Sequence, residues 1–186
     1  MNIRCGICCI ILSLEEDRNP PKKFQRMTYK KFSQTPRKEA IDLLSKRILN
    51  NIDVTFNAVK YCKEHNFNYR LSSDLFSLIT YDKADLSLDQ LPEYDQIIDL
   101  FRQIKEYNSV NNVRLSLHPD QFNVLASKDE NALARTVKEL NFYSWVLDQI
   151  GCPANYNSPI NLHSLVRRKP LLFRRKSFVP LRGKIL

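Results

Sequence analysis

The sequence predicts an α/β protein in which parallel strands alternate with helices packed outside the sheet. Apolar runs of strand length alternate with longer segments in which apolar residues recur every three to four positions. The strand candidates are nearly continuous apolar runs, which is typical of parallel strands covered on both faces. About four strands and three helices are predicted, which corresponds to half of an eight-stranded (β/α) barrel or to a small open sheet.

The first half of the chain contains two predicted strands and one long helix. The apolar run 3–14 predicts the first strand, and 67–71 predicts the second. Between them, Thr35 is the predicted N-cap and Pro36 the first helical residue. The helix that follows has a single apolar face, formed by Ile41, Leu44, Ile48, Ile52, Phe56 and Val59.

The second half repeats this alternation. Pro92 is predicted to open a helix, residues 113–117 to form the third strand, and residues 161–163 to end a short fourth strand. A third helix is predicted to begin at 127–130 and to stop at Gly151. The apolar positions expected to face the sheet are Ile97, Ile98, Phe101 and Ile104 in the second helix, and Leu133, Val137, Leu140 and Leu147 in the third.

The composition indicates a single globular domain inside the cell. Its 186 residues are 43% hydrophobic and 26% charged, and no apolar run approaches the roughly 18 to 20 residues that cross a bilayer. The apolar run near the N-terminus is short for a signal sequence. Five cysteines do not form a paired disulfide pattern. Cys5 and Cys8 are predicted to be buried core cysteines rather than zinc ligands.

The positive charge of the chain is concentrated at its C-terminal end. The formal net charge is +9, and residues 164–186 contain eight basic residues and no acidic one. Residues 1–163 are therefore nearly neutral. The sequence divides into a body, 1–163, and a basic irregular tail, 164–186, which is either a DNA-contacting arm or the product of a disrupted reading frame.

Polar residues follow three of the predicted strands. Asp74, His118 and His163 come just after strand ends, and the carboxyl ends of parallel strands form the ligand-binding face in both candidate architectures. A single histidine there is usually satisfied by a local hydrogen bond, whereas two from successive strands favour a metal site of unspecified identity. Asp74 is either a ligand or a carboxylate that caps local amides, and the capping role is favoured. His65 is predicted to be a solvated residue at a helix end.

Gln121 and Phe122 place an amide and an aromatic ring side by side on the loop after the third strand. A phenylalanine in such a loop normally turns into the core. In a protein that acts on nucleic acid, the same pair could wedge into a base stack. Asp120 is predicted to be a solvated turn residue.

Four motifs together resemble the UV-damage endonuclease family. They are RCGICCIILSL at 4–14, YRLSSDLFSLIT at 69–80, RLSLHPDQFNVLAS at 114–127 and INLH at 160–163. The resemblance implies a partial TIM-type (β/α) barrel related to the endonuclease IV and xylose isomerase group. It also implies a cluster of divalent metal ions, typically manganese, and a DNA repair enzyme that cuts double-stranded DNA on the 5′ side of UV photoproducts such as pyrimidine dimers, by metal-assisted hydrolysis.

Carried over by motif, His118 and His163 match metal-ligand histidines, and Gln121 and Phe122 match the pair that probes the damaged duplex. Tyr81 stands where the family usually has another ligand histidine, and tyrosine is a poorer ligand because it ionises near pH 10. Ile7 and Ile11 replace a usual tyrosine and asparagine. After residue 163 the family pattern stops.

Three hypotheses follow from these residues. The chain is a repair endonuclease whose remaining ligands come from a second subunit, a non-catalytic DNA-binding remnant of such an enzyme, or a xylose-isomerase-like sugar-processing barrel. Two matched histidines without a matched carboxylate cannot build a cluster that activates water. The chain alone is therefore expected to be inactive or very weak, and its exposed sheet edges are expected to favour self-association.

Overall fold

A computed structural model describes residues 5–11, 23–120 and 122–162 of the chain. Three strands, β1 (Gly6–Cys8), β2 (Asn68–Ser72) and β3 (Leu115–His118), form one parallel sheet in the order β1-β2-β3. Each crossover between successive strands contains helix, as parallel pairing requires. The predicted α/β class with parallel strands is confirmed in this part of the chain, while closure into a barrel stays a prediction.

In the described part of the chain, four α-helices accompany the sheet. The three predicted ones are α2 (Arg37–Glu64), α3 (Tyr94–Asn111) and α4 (Glu130–Gln149), and they are preceded by a short helix, α1 (Tyr29–Gln34). Short 3₁₀ turns at Ser73–Phe76, Asp82–Ala84 and Leu88–Gln90 fill the connection from β2 to α3. Buried residues of α2, α3 and α4 join those of the strands in one hydrophobic core, and α2 packs directly against β2.

The predicted apolar faces form most of that core. Leu44, Ile48, Ile52 and Val59 of α2 are at most 1% exposed. Ile97, Phe101 and Ile104 of α3 and Leu140 and Leu147 of α4 are also buried, whereas the outer positions Ile41, Ile98, Leu133 and Val137 are half-buried. The 3.6-residue period therefore identified the buried face of each helix, with its edges at the half-buried positions.

The predicted start of the long helix is displaced by one residue. Pro36 is the N-cap of α2, and Thr35 instead ends α1. The Thr35 hydroxyl donates a hydrogen bond of 2.8 Å to the Lys31 carbonyl. Thr28 caps α1 by accepting from the Lys31 amide at 3.3 Å, so the side chain predicted to begin one helix completes the preceding one.

The first strand is shorter than the apolar run that predicted it. Within residues 5–11, only Gly6–Cys8 pair with β2. Cys9 has φ +63°, in the left-handed region, and the Ile10 amide donates to the Cys8 carbonyl at 2.8 Å. This turn ends the strand, because a left-handed residue cannot continue an extended ladder. Residues 3, 4 and 12–14 of the predicted strand lie outside the described residues.

The predicted fourth strand is represented by one bridge. Ile160 pairs in parallel with Leu117, through hydrogen bonds from Leu117 N to Pro159 O at 3.1 Å and from Asn161 N to Leu117 O at 3.0 Å. Residues 159–161 thus add to the free edge of β3, where a fourth parallel strand was expected. The description ends at Leu162, so His163 and the tail 164–186 lie outside it.

Gly151 ends α4 as predicted. Ile150 is the C-cap, and Gly151 follows with φ +74° while its amide donates to the Asp148 carbonyl at 3.1 Å. A Cβ at this position would lie 2.6 Å from Cγ of Lys105. Both the backbone angle and the close approach of α3 therefore require glycine here.

Across residues 5–11, 23–120 and 122–162, no helix is long and apolar enough to span a membrane.

Candidate functional site at the carboxyl edge of the sheet

The carboxyl ends of β2 and β3 lie side by side. Ser72, the last residue of β2, is the register partner of His118, the last residue of β3. The loops that follow both strands therefore leave the sheet at the same level, and residues within them come close together. This edge is the one at which parallel α/β sheets bind ligands.

His118 is half-buried at this edge. Its Nδ1 lies 2.8 Å from the carbonyl oxygen of Pro119. Because a carbonyl can only accept, Nδ1 carries the proton, and the lone pair of the neutral ring lies on Nε2. The buried Pro119 fixes the direction in which the chain leaves β3. His118 is thus oriented by its own backbone, as a ligand histidine commonly is.

Asp74 occupies the corresponding position after β2. Its Oδ2 lies 2.5 Å from a guanidinium nitrogen of Arg26 and accepts from the Ser72 hydroxyl at 3.4 Å. The prediction that Asp74 caps local amides is wrong, because Ser72 does so: its hydroxyl accepts from the Asp74 amide at 3.2 Å. Asp74 instead anchors Arg26, whose side chain is 66% exposed at the edge of the sheet.

Glu139 of α4 brings a further carboxylate to the site. Its Oε1 accepts a hydrogen bond of 2.9 Å from the side-chain amide of Asn123. Burial raises the pKa of Glu139, the Asn123 hydrogen bond opposes that effect, and the nearby carboxylates of Asp120 and Asp74 add to it. Three carboxylates from three segments are therefore within electrostatic reach of one another.

Tyr143 connects α4 to the carboxyl edge of the sheet. Its hydroxyl donates to the carbonyl of Ser73, at the start of the turn after β2. Burial raises the pKa of Tyr143 well above its usual value, with Glu139 and Asp74 contributing in the same direction. The phenol therefore stays protonated and acts as a fixed donor, which holds the loop after β2 against the helix that carries Glu139.

The loop after β3 exposes an aromatic ring. Phe122 is 80% exposed, and its amide donates at 3.1 Å to the side chain of Asp120, which is itself exposed as predicted. The Asn123 amide donates to the Asp120 carbonyl at 3.0 Å and closes the turn. Phe122 therefore does not turn into the core. Its predicted partner in DNA probing, Gln121, lies outside the described residues.

Tyr81 and His65 are placed by packing. The ring of Tyr81 is 38% exposed and meets the ring of Tyr29 edge-on at 5.1 Å. His65 is the exposed C-cap residue of α2, as predicted, and its ring stacks on Tyr61 at 3.9 Å. Tyr81 thus packs the connection from β2 to α3 against α1. That Tyr81 takes the place of a metal-ligand histidine stays a prediction.

The described donors do not form a metal centre by themselves. In residues 5–11, 23–120 and 122–162, no group of three or more histidine, cysteine, aspartate or glutamate residues is arranged to hold a metal ion. His118 is the one matched ligand histidine within these ranges, since His163 lies beyond them. This donor set does not fit a multi-metal cluster, which needs several carboxylate and imidazole ligands around each ion.

The cysteine prediction is wrong for the first strand. Cys5 and Cys8 are exposed, and Cys9 is half-buried. The apolar run predicted burial, but β1 lies at the outer side of the sheet among the described residues and leaves these side chains uncovered.

Two residues of the site carried no signal in the sequence. Glu139 lies next to the buried Leu140 on a helix with many charged positions, and periodicity alone assigns it to solvent. Arg26 lies in a segment without strand or helix pattern. Only the fold shows that α4 and the segment before α1 both reach the carboxyl edge of the sheet.

Parallel strands with helical crossovers, and polar residues gathered where those strands end, define an α/β protein whose candidate functional site is the carboxyl edge of the sheet. A family model described as UV-endonuclease UvdE matches residues 3–167. The chain belongs to this family.

Several relatives agree with this assignment. The chain is 28% identical over 144 residues to a UV DNA damage endonuclease of Nostoc sp., covering 76% of this chain and 43% of that protein. It is 30% identical over 149 residues to the Bacillus velezensis enzyme of the same name, covering 79% of this chain and 43% of the relative. A putative UV-damage endonuclease of Acanthamoeba polyphaga mimivirus is 25% identical, with 87% of this chain and 46% of the relative covered.

The fold is similar to that of the crystal structure of SacUVDE. The TM-score is 0.66 at 21% sequence identity, over 87% of this chain and 49% of the other. The chain spans about half the length of the curated relatives it matches.

Proposed function

We propose that the chain acts in DNA repair as the lesion-recognising part of a UV-damage endonuclease. Its substrate is double-stranded DNA carrying pyrimidine dimers and related photoproducts, and the assembly it serves cuts the phosphodiester bond on the 5′ side of the lesion. Family membership supports the repair class. The exposed ring of Phe122, beside the site at the end of β3, is the observation that carries the recognition role.

Phe122 supports a DNA-contacting surface for an energetic reason. A phenylalanine that is 80% exposed loses most of the free energy that burial would provide. Stacking on an unstacked base would recover it, and a damaged step is opened at lower cost than intact duplex. A small sugar substrate has no use for such a ring, so this observation disfavours the sugar-processing alternative.

Arg26 supplies a cation at the same edge. Its guanidinium is paired with Asp74 and yet two-thirds exposed, and arginine contacts phosphate oxygens through paired donors. A duplex that reaches Phe122 would bring its backbone close to the carboxyl edge that carries Arg26. The basic residues of 164–186 are proposed to add affinity without sequence or lesion preference.

Metal-assisted hydrolysis, with manganese as the proposed ion, requires more ligands than the described residues offer. His118 and His163 are the proposed imidazole ligands of this chain. Because they cannot complete a cluster alone, incision is assigned to an assembly in which a second polypeptide surface adds carboxylates. Among the described strands, the outer edge of β1 and the edge beyond Ile160 have no further strand beside them, and they are the proposed surfaces for this association.

The test uses two labelled duplexes that differ only in one pyrimidine dimer. The purified chain is expected to bind the damaged duplex more tightly. At concentrations at which it is monomeric, it is expected to give, with manganese, no incision above the background of a His118→Ala variant. A chain without residues 164–186 is expected to bind both duplexes more weakly and to keep its preference.

Two results would contradict the proposal. Equal binding of both duplexes would remove the lesion-recognition role and leave a DNA-binding remnant. Turnover by the chain alone that is abolished in His118→Ala would show that the chain holds a complete catalytic site, against the ligand count. Sedimentation velocity across a concentration series measures self-association of the chain. A monomer at all concentrations would contradict the proposal that these sheet edges associate.

A further inference from the structure

Adjacent cysteines at the end of β1 bring their sulfur atoms together. The Sγ atoms of Cys8 and Cys9 are 3.3 Å apart. In a regular strand, successive side chains point to opposite faces of the sheet, so neighbouring cysteines in a strand cannot meet in this way. The contact therefore requires a specific departure from strand geometry.

That departure is built into the backbone and held from several sides. Cys9 has φ +63°, in the left-handed region that a residue with a Cβ seldom occupies. The Cys9 amide donates to the Arg70 carbonyl at 2.8 Å, and the Cys9 carbonyl accepts from the Tyr69 hydroxyl at 2.7 Å. Tyr69 is 2% exposed, so its hydroxyl is a fixed point. Several hydrogen bonds from neighbouring residues therefore hold Cys9 in this conformation, as is usual where a sparsely populated backbone conformation persists.

The separation of the two sulfurs limits what they can bind. Two thiolates on a tetrahedral zinc ion, with Zn–S distances of about 2.3 Å, lie roughly 3.8 Å apart. A disulfide normally joins residues whose Cα atoms are at least about 4.4 Å apart, whereas adjacent Cα atoms are about 3.8 Å apart, so an adjacent pair closes with strain. A pyramidal trivalent arsenic centre has S–As–S angles close to a right angle, so its two sulfur ligands lie closer together than those of zinc. The 3.3 Å separation of the Cys8 and Cys9 sulfurs therefore suits arsenic better than zinc.

The two thiols also differ in access. Cys8 is exposed, whereas Cys9 is half-buried beside it. Burial raises the pKa of Cys9 to about 11, and the neighbouring Cys8 adds to that effect. Cys9 is therefore neutral at physiological pH and is a poor single nucleophile. A ligand that first bonds to Cys8 can close onto Cys9 without diffusing, which makes the second bond effectively intramolecular.

We propose that Cys8 and Cys9 form a vicinal dithiol site that chelates trivalent arsenicals of the arsenoxide class. Two As–S bonds form, the bonds from arsenic to oxygen break, and both thiol protons leave with that oxygen as one molecule of water. Arsenic remains trivalent, so no oxidant or reductant is needed. The site lies at the carboxyl end of β1, where the Cys9 amide donates to the Arg70 carbonyl of β2.

The probe for this site is phenylarsine oxide, with the full chain and intact-mass spectrometry. We expect one arsenical per chain and the loss of two titratable thiols. We also expect the adduct to survive excess monothiol and to be released by dithiothreitol, because a chelate resists a monodentate competitor. An adduct that monothiol removes would overturn the proposal.

Matched variants locate the site. Cys5→Ser changes the other exposed cysteine of the same segment and is expected to keep the resistant adduct, whereas Cys8→Ser and Cys9→Ser are each expected to lose it. Cys9→Gly is a second test, because glycine accepts the positive φ of that position and preserves the fold. A resistant adduct in both Cys9 variants, or its loss in Cys5→Ser, would show that a different pair binds.

The unfolded chain tests whether the turn matters. In urea the two cysteines remain adjacent, but the turn that holds their sulfurs together is lost. We expect weaker arsenical binding in urea, because a preorganised pair has less freedom to lose. Equal affinity in the folded and unfolded chain would overturn the structural part of the proposal.

Discussion

Ser72 and His118 are register partners on the last rung of the β2–β3 ladder. Because both strands end on the same rung, the loop that carries Asp74 and the loop that carries Phe122 leave the sheet at one place. Tyr143 and Glu139 then connect α4 to that place, through the Ser73 carbonyl and the Asn123 amide. The register of β2 against β3 thus determines which polar residues of the two loops lie close together.

Phe122→Ala is expected to reduce the preference for damaged DNA. Stacking of a base on an aromatic ring contributes about 1–3 kcal/mol, so a loss of roughly fivefold or more in affinity for the dimer duplex is expected at the lower end of that range. Affinity for intact duplex should change little. Fluorescence anisotropy with both duplexes measures the two affinities.

Tyr156→Ala is the matched control for this variant. Tyr156 is 83% exposed, and its carbonyl accepts from Arg114, which precedes β3, so it lies toward the opposite end of the strands. Its removal should leave both affinities unchanged. Equal losses in Phe122→Ala and Tyr156→Ala would mean that exposed aromatic residues bind DNA without regard to their position.

Asn51→Ala is expected to destabilise the fold by detaching the segment before α1. Asn51 is fully buried and makes two hydrogen bonds to the backbone of Gln25, accepting at 2.8 Å and donating at 2.9 Å. Its loss leaves two backbone groups unpaired, and each costs about 1–3 kcal/mol if it stays buried. Urea unfolding should show a decrease of about 2 kcal/mol or more.

Asn50→Ala provides the comparison. Asn50 donates one hydrogen bond of 2.8 Å to the Lys23 carbonyl in a more exposed setting, where water can replace the lost donor. We expect a decrease of less than about 1 kcal/mol. If both variants lose the same stability, the buried pairing of Asn51 with Gln25 is not what holds this segment.

Leu44→Ala tests the core between α2 and the sheet. Leu44 is 0% exposed, and truncating a fully buried leucine typically costs about 2–5 kcal/mol from lost transfer energy and the cavity left behind. Ile41→Ala, on the half-buried margin of the same helix, should cost clearly less. Urea unfolding of both variants measures the difference, and equal losses would contradict the assigned helix face.

Glu139→Gln is expected to stabilise the protein at neutral pH. Burial raises the pKa of Glu139 above its ordinary value of 4.5, so the folded state binds this proton more tightly than the unfolded state does. Stability from this group is therefore present below pH 4.5 and is lost as pH rises through the folded pKa. Glutamine keeps an oxygen for Asn123 and has no charge to bury.

The measurement is urea unfolding at several pH values from about 4 to 8. The difference between Glu139→Gln and the wild-type chain should grow as pH rises and then level off. Glu106→Gln, at an exposed position of α3, is the control for replacing a carboxylate that remains in solvent. A constant difference for Glu139→Gln would mean that its carboxyl group is not penalised by burial.

The sequence predicted the elements of this fold better than their ends. The spacing of Leu44, Ile48 and Ile52 identified the buried face of α2 because a helix must cover the sheet with one apolar stripe. The turn at Cys9 was not predictable, because its left-handed φ is held by Tyr69 and Arg70 from a neighbouring strand. Residues whose conformation depends on distant partners leave no local pattern.

The same reasoning applies to the site. His118 was predicted correctly as a strand-end residue, because strand and turn are both local features of the sequence. Glu139 was missed, because its burial depends on how α4 lies over the loops after β2 and β3. Its environment arises from packing between segments far apart in the chain, which hydrophobic periodicity does not report.

The spatial order of the strands is also their order in the chain: β1, β2, β3 and then Ile160. Each new strand therefore docks against the one translated just before it, and no described pairing has to wait for a later segment to be inserted between two earlier ones. Each pairing therefore closes a single crossover, and pairing in chain order suits folding that proceeds from the N-terminus during synthesis. The sheet can grow in step with the ribosome, one strand and one crossover at a time.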